Sequence, residues 1–379
     1  MTRSEVGMLD KSKSKKVSRA KGQTQKIKTR ESSVENKLKI TQEFGLTKDD
    51  LLSLLRNMRL SRRVDDTEIS MRKQSKAFFQ ISGAGHEAIL TATAKVLKPS
   101  YDYFLPYYRD RALCLGLGVT AYEMLCQANG NIGDTSGGGR QMPAHWGNLN
   151  LNIVNKSSCT GTQFLQAVGL AEGGKYLEEL KKDKLAKDVP SHGDEIVYVS
   201  SGDGTVSQGE FWESLTTACV NKLPVLYMIE DNGYAISVPV RVQTPRGSIS
   251  EALANFPDLK IFTCDGNCPL DSLKTLTEAE KYLRAGKGPV LVHANVTRPY
   301  SHSLSDDHSM YRSEEELNEE KELDCLNSFP KFLLETGYAT QEDIDSLYKE
   351  IDEEIQDSLD RALETPWPKK EDSLKHLYS

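Results

Sequence analysis

The chain has 379 residues, of which 38% are hydrophobic and 27% charged, with a formal net charge of −7. That length holds one large α/β domain or two ordinary ones around a real core, and no run approaches the ~18 consecutive apolar residues of a membrane span. Residues 1–30 carry ten Lys/Arg against two acids, a net +8, which leaves the remainder at −15; an acidic body argues against nucleic acid as the main partner.

The N-terminus has no apolar core of a secretory signal. Its stretch "DKSKSKKVSRAKGQTQKIKTR" is polar and poor in aromatics, which predicts a disordered basic tail over residues 1–40. Such a tail is a solvated extension, a docking arm for an acidic partner or an organelle transit peptide; Glu5, Asp10 and the preference for Lys over Arg disfavour the transit peptide. The seven cysteines form no framework. Cys264 and Cys268 lack a second pair or a nearby histidine, so reduced thiols in a cytoplasmic protein are expected rather than zinc.

From Leu46 the pattern turns helical. Thr47 can cap "KDDLLSLLRNMRLSRRVDDTEISMRKQ", with acids in its first turn. "FFQISGAGHEAILTATAKVL" reads as a short extended piece, a glycine turn and a helix. "YDYFLPYYRDRALCLGLG" is aromatic, broken by proline, then helical. A Gly/Ser/Asn-rich segment follows, from Asn129 to Gln163; loops this long are usually functional or disordered. "FLQAVGLAEGGKYLEELKKDK" is a helix whose small residues permit close packing.

The next unit, "EIVYVSSGDGTVSQGEFWESLTTACVNKLPVLYMIEDNGYAIS", is strand, helix, strand with short links, hence a parallel βαβ crossover. Ser207 and Glu210 have capping-box spacing at the helix start. A further strand ("FPDLKIFTCDG"), helix and strand ("GPVLVHANVTR") continue the alternation, and an acidic helical region closes the chain. The boundaries expected are the tail at 1–40, an α/β domain at 41–366 and a C-terminal tail at 367–379.

In a parallel βαβ unit both strands end on one edge of the sheet, where such folds bind ligands. Asp203 follows the first strand and Asn232 the second. A carboxylate, an amide oxygen and loop carbonyls suit Mg²⁺ or Ca²⁺, with a phosphorylated ligand completing the shell. Gly202 and Gly204 let backbone approach a phosphate, and the following helix N-terminus favours negative charge. Asp-Asn-Gly is also a common turn, so two ordinary loops are the competing reading. No G-x-G-x-x-G follows a strand before a helix, which disfavours a dinucleotide site.

"GDG", then 26 residues, then "DN" resembles the thiamine-diphosphate signature. With "DNGYAIS" the chain resembles, from about Leu51 to Pro366, the α subunits of the decarboxylating first component of 2-oxo acid dehydrogenase complexes. The resemblance implies a thiamine-diphosphate-binding fold with a parallel sheet flanked by helices. It implies Mg²⁺ held by Asp203, Asn232 and the Tyr234 carbonyl. In "PYYRDRAL" Tyr108 and Arg109 take the place of the diphosphate-binding pair. In "SSCTGTQ" Ser158 and Thr160 face the cofactor's aminopyrimidine, and Ser157, Thr162 and Gln163 stand where some relatives hold potassium. "TRPYSHSLSDDHSMYR" resembles the active-site loop: His302 contacts substrate or intermediate, Arg298 and Asp306 organise the loop, and Ser303 stands where some relatives are phosphorylated.

"GGGRQMPAHWG" resembles the branched-chain type more than the pyruvate type, with Gln141, Met142, His145 and Trp146 as specificity residues. Two departures stand out. Glu230 lies where relatives carry arginine, with Asp231 next to it, and Tyr107 lies where some have glutamine. The activity implied is decarboxylation of a 2-oxo acid and transfer of its acyl group to lipoyl on an acyltransferase core. An α₂β₂ assembly is implied too, because the glutamate that activates the cofactor lies on the β subunit. Alternatives are a pyruvate or acetoin dehydrogenase α subunit, or a non-catalytic scaffold on the same fold.

Overall fold

A computed structural model describes residues 34–186 and 188–375. Most of the basic tail expected over 1–40 therefore lies outside the described residues. Its last part does not: Val34–Glu43 is helix α1, with Ile40 buried. Helix α2 (Lys48–Lys73) is capped by Thr47 as expected, and Asp50 completes a capping box with it. Then come α3 (Glu87–Val96), strand β1 (Tyr103–Leu105), α4 (Arg111–Leu117), α5 (Ala121–Asn129) and α6 (Thr162–Lys182).

The βαβ unit is β2 (Val197–Gly202), α7 (Gly209–Asn221) and β3 (Val225–Asp231). The capping box read for Ser207 and Glu210 is not formed. Ser207 ends a 3₁₀ turn instead, which shifts the helix start so that Gln208 is the N-cap, without a side-chain bond. A two-stranded ribbon, β4 (Tyr234–Ala235) and β5 (Val238–Pro239), leads to α8 (Ile249–Ala252). β6 (Lys260–Asp265), α9 (Pro269–Arg284) and β7 (Val290–Asn295) complete the alternation before α10 (Glu314–Leu323), α11 (Cys325–Glu335) and α12 (Gln341–Glu364).

The main sheet is parallel throughout, in the order β1-β2-β3-β7-β6. Its inner strands β2, β3 and β7 are buried on both faces, as a sheet covered on both sides requires, while the edge strand β6 is partly open. Alternate residues sort between two cores. Tyr198, Leu226, Met228 and Val292 face α2–α5, α9 and α12. Val197, Val199, Tyr227 and Ile229 face α6 and α7. A third apolar cluster joins α1, α2 and α11 through Ile40, Leu55, Phe329 and Phe332.

The C-terminal helix α12 closes the first core. Ile351, Ile355 and Ala362 are buried there, each isoleucine contributing about 1.5–3 kcal/mol by burial. Asn131 Nδ2 donates to the Ala362 carbonyl at 2.7 Å and Arg63 pairs with Asp352 at 2.6 Å. Beyond it, Trp367 Nε1 donates to Asn129 Oδ1 at 3.0 Å, and residues 370–374 form a 3₁₀ turn.

Buried ions lock the helices to the loop that precedes α3. Asp65 of α2 accepts from Ser82 Oγ and Gly83 N, both at 2.9 Å, and from Arg111 Nε at 3.1 Å. Gly85 has φ +88°, and an added Cβ would lie 2.1 Å from the Thr297 carbonyl oxygen. Backbone meets backbone here, so nothing can yield cheaply. Gly85→Ala is expected to cost about 3 kcal/mol or more, read as a fall in the urea midpoint; an unchanged midpoint would show that the two segments separate freely.

Candidate active site

Parallel pairing of β2 with β3 places Gly202 opposite Glu230. The residues that follow, Asp203 and Asn232, therefore leave the sheet side by side. The two turns touch: a Cβ on Gly204 would lie 2.6 Å from the Ala235 Cβ. Gly204 is thus required by turn-on-turn packing, while Gly202 meets protein only at ordinary contact distance, 3.7 Å from Tyr107 Oη.

Asp203 is buried. Its Oδ2 accepts from Gln243 Nε2 at 2.7 Å, and its Oδ1 has no partner among the described residues. Burial, then the charge of Asp231, raises its pKa to about 8. A carboxylate so placed is stabilised by a cation. Asn232 Oδ1 accepts from Tyr234 N at 3.2 Å, and its Nδ2 meets His86 Nε2 at 3.3 Å. One carboxylate oxygen and one amide oxygen with a free lone pair fit a hard divalent cation.

The two acids beside Asn232 point elsewhere. Asp231 is held by Gly233 N at 2.8 Å and His293 Nε2 at 2.9 Å. Glu230 is fully buried beneath the turn. Its Oε2 lies 2.7 Å from His86 Nδ1, while its Oε1 is buried without a partner among the described residues. Burial raises both acids, Glu230 well above the carboxylate range, where the charge of Asp110 adds to the effect. Asp110 in turn accepts from Ser200 Oγ at 2.5 Å and Tyr198 Oη at 3.0 Å.

Opposite the acids stand cations without carboxylate partners. Arg109, 2% exposed, bonds the Ser82 carbonyl, His302 Nδ1 at 3.0 Å and the His302 carbonyl at 3.3 Å. Arg298, 1% exposed, donates to the Ile236 carbonyl at 3.0 Å and to Tyr311 Oη at 2.7 Å; its Nε is buried and unpartnered. Among the described residues neither guanidinium has a carboxylate within 4.0 Å. Burial and then Arg109 lower the Arg298 pKa. Two buried like charges of this kind are a ready site for an anion.

His302 reports the same field. Burial, then Arg109 and Arg298, push its pKa down to about 4, so the ring is neutral at pH 7 and its Nδ1 accepts from Arg109. Its backbone N donates to Asp306 Oδ2 at 2.8 Å, and Tyr311 Oη donates to the same oxygen at 2.6 Å. Arg298, Tyr311 and Asp306 thus form the relay that shapes the loop. Tyr108 lies edge-on to His302, with ring centroids 6.1 Å apart, and the Arg109 guanidinium lies 5.2 Å from the Tyr108 centroid. Ser303 is buried, its Oγ 3.0 Å from Ser305 Oγ.

The Ser157–Thr160 stretch is exposed. Ser158 Oγ lies 2.8 Å from His145 Nε2, whose Nδ1 faces the Pro143 carbonyl at 3.2 Å. Thr160 stands at the rim. Ser157 Oγ and Thr162 Oγ1 are 2.7 Å apart, and Gln163, whose Nε2 donates to the Ser200 carbonyl at 3.1 Å, keeps a buried, unpartnered Oε1. Gln141 is tied at both ends, to the Lys156 carbonyl and to Asn155, so it fastens the loop. Trp146 is buried and donates to the Tyr107 carbonyl at 3.1 Å, while Met142 is exposed.

Sequence reasoning missed His86, Asp110, Gln243 and Lys156. Lys156 is buried, its ammonium 5.4 Å from the Tyr108 centroid with no carboxylate in ion-pair range among the described residues, and burial lowers its pKa to about 8. A lysine directly before the polar Ser157–Ser158 pair was the available signal. The other three lie far in sequence from the turns they serve, and no local pattern marks them.

Residues 55–371 match the dehydrogenase E1 component family. The chain belongs to that family, whose members depend on thiamine diphosphate, and it is an oxidoreductase of the 2-oxo acid dehydrogenase class. It is 35% identical over 338 residues to the 2-oxoisovalerate dehydrogenase subunit alpha of Bacillus subtilis (strain 168), covering 89% of this chain and 98% of that protein. It is 30% identical over 336 residues to the pyruvate dehydrogenase E1 component subunit alpha of the same organism, covering 88% and 83% respectively.

The His302 shift has a measurable sign. Its folded-state pKa of about 4 lies below the unfolded ~6.5. Its contribution to stability is therefore complete above the unfolded value and is lost as pH falls towards the folded one. An imidazole titration by NMR is expected to show His302 still neutral at about pH 5.5, with its midpoint raised in Arg109→Gln. A wild-type midpoint near the unfolded value would refute the field described here.

Proposed function

We propose that this chain is the α subunit of a branched-chain 2-oxo acid dehydrogenase, holding Mg²⁺ and thiamine diphosphate at the carboxyl edge of its sheet. The observation that carries this reading is the pairing of opposites: the bare Oδ1 of buried Asp203 feels the charge of Arg298, which, like Arg109, has no carboxylate partner among the described residues. Asp203, Asn232 and the Tyr234 carbonyl would hold the metal. Tyr108 and Arg109 would hold the diphosphate, and Ser158 and Thr160 the aminopyrimidine. The unpartnered Gln163 Oε1 with the Ser157 and Thr162 hydroxyls offers neutral oxygens for K⁺, which would replace the bond between those hydroxyls.

Bound thiamine diphosphate supplies the electron sink by which a 2-oxo acid loses CO₂. The chain's own part is orientation and charge. Neutral His302, fixed by Arg109, presents its ring beside Tyr108 and can exchange a proton at Nε2 with the reacting substrate. Arg298, through Tyr311 and Asp306, holds the loop that carries it. Glu230 does not face the diphosphate site in this reading, because its carboxyl is turned inward onto His86; this weakens the scaffold reading.

The branched-chain preference rests on the higher identity to the 2-oxoisovalerate relative. A β subunit completing an α₂β₂ assembly, and a lipoyl-bearing acyltransferase as acceptor, follow from the family reading. Exposed Ile236, Leu304 and Met310 around the site are compatible with a covering subunit. We place the protein in the cytoplasm. No helix among the described residues is long and apolar enough to cross a membrane.

The test is decarboxylation by the chain assembled with its β subunit, Mg²⁺ and thiamine diphosphate, offering pyruvate and 3-methyl-2-oxobutanoate separately. The branched acid is expected to give the higher kcat/KM, and Asp203→Ala is expected to lower it by about 100-fold or more. A preference for pyruvate would overturn the substrate, since pocket differences of a few methyl groups are worth only ~1–3 kcal/mol each. Full activity in Asp203→Ala would overturn the metal site.

A further inference from the structure

We propose that His86 is a positioning residue that sets the orientation of the Asn232 amide, and that buried Glu230 holds His86 in the tautomer this requires. The inference rests on the metal-site reading above and adds to it the residues behind the ligand.

The geometry is directional. His86 Nδ1 lies 2.7 Å from Glu230 Oε2, and Nε2 lies 3.3 Å from Asn232 Nδ2. Both groups of the first pair are fully buried. Tyr234 N can only donate, so Asn232 turns Oδ1 to it and Nδ2 to the ring; Nε2 must then accept, and Nδ1 carries the hydrogen towards Glu230 Oε2. Nε2 is then a bare lone pair. Only a donor satisfies it, which keeps the NH₂ end of Asn232 towards His86 and the carbonyl end away. On that other side Oδ1 accepts from Tyr234 N at 3.2 Å and keeps its second lone pair for a cation. A flipped amide would set oxygen against the Nε2 lone pair and offer N–H groups to the metal. The two ring nitrogens are thus used differently, one to fix the tautomer and one to read the ligand's orientation.

Two further observations fit this use and not simple core filling. His86 stands at the N-cap of α3, where a polar side chain usually bonds the helix backbone, yet it makes no such bond. Gly85 brings the segment against the Thr297 carbonyl, which pins the backbone of His86 beside the exit of β7 and close to the Asn232 turn. The residue standing where family members carry arginine therefore has a task of its own. Glu230 supports the metal ligand from beneath and leaves the diphosphate to the cations of the opposite wall.

The test uses the assembled α–β protein, stripped of metal and titrated with Mn²⁺ in the presence of thiamine diphosphate, with EPR reporting free and bound ion. His86→Phe is expected to weaken Mn²⁺ by about 10–100-fold. His86→Gln is expected to restore most of the affinity, because one amide end can accept from Asn232 while the other donates to Glu230. Should His86→Phe not assemble, Glu230→Leu removes the acceptor and leaves the ring, and a weaker Mn²⁺ affinity is again expected. Wild-type affinity in His86→Phe or in Glu230→Leu would overturn the proposal, as would a His86→Gln variant no better than His86→Phe, which would reduce His86 to packing. Asp203→Ala serves as the separate control. If it leaves Mn²⁺ binding intact, the metal-site reading fails first and this inference with it.

Discussion

The register of β2 against β3 is the constraint on which the site depends. Gly202 pairs with Glu230, and Glu230 with Ala294 of β7. A slip of one residue would exchange the two faces of a strand. It would send Glu230 out of its buried pocket and carry Asn232 away from Asp203. Both cores resist that slip, because Met228 and Ile229 are buried on opposite faces. The apolar pattern that stabilises the fold is thus the same pattern that aligns the two polar turns.

Charge in the site is divided by position. Cations line one wall, in Arg109, Arg298 and Lys156, without carboxylate partners among the described residues. Glu230 is turned away from them, its Oε2 on His86 Nδ1, and burial raises both its pKa and that of Asp110. At the turn itself Asp203 Oδ1 is buried without a partner among the described residues. In protein alone each of these groups is disfavoured by burial. Together they have the chemistry to complement a cation and a polyanion, and the His302 pKa is depressed by burial first and by the two arginines second.

Much of the architecture was legible in the sequence, because the signals were strong and local. The Thr47 cap, the βαβ unit and the acidic C-terminal helices follow from periodicity and capping chemistry. Asp203 and Asn232 were legible because a parallel crossover puts two strand ends on one edge. The Ser207–Glu210 spacing misled, since a 3₁₀ turn after Gly204 uses up the residues that a capping box would need. Gln141 reads as a pocket residue in sequence but is tied at both ends in space. His86, Asp110 and Gln243 could not be read at all. His86 meets Glu230 across 144 positions of chain, and no motif predicts such a contact without the fold. The direction of the Glu230 side chain was equally hidden, since a strand end offers both an inward and an outward route.

One feature of the C-terminal helix bears on how the molecule comes into being. α12 covers α2 and α5, and the Arg63–Asp352 pair spans 289 positions. While the chain is being made, the face of α2 that will receive Ile351 and Ile355 has no cover until α12 has been synthesised. The first core therefore cannot close before α12 has emerged, whereas the core around α6 and α7 has all its parts once β7 has emerged. Contacts of such long range form slowly and leave apolar surface exposed meanwhile. Ribosome-bound intermediates of this protein would carry one finished side of the sheet and one open side, the open side being the one that chaperones meet.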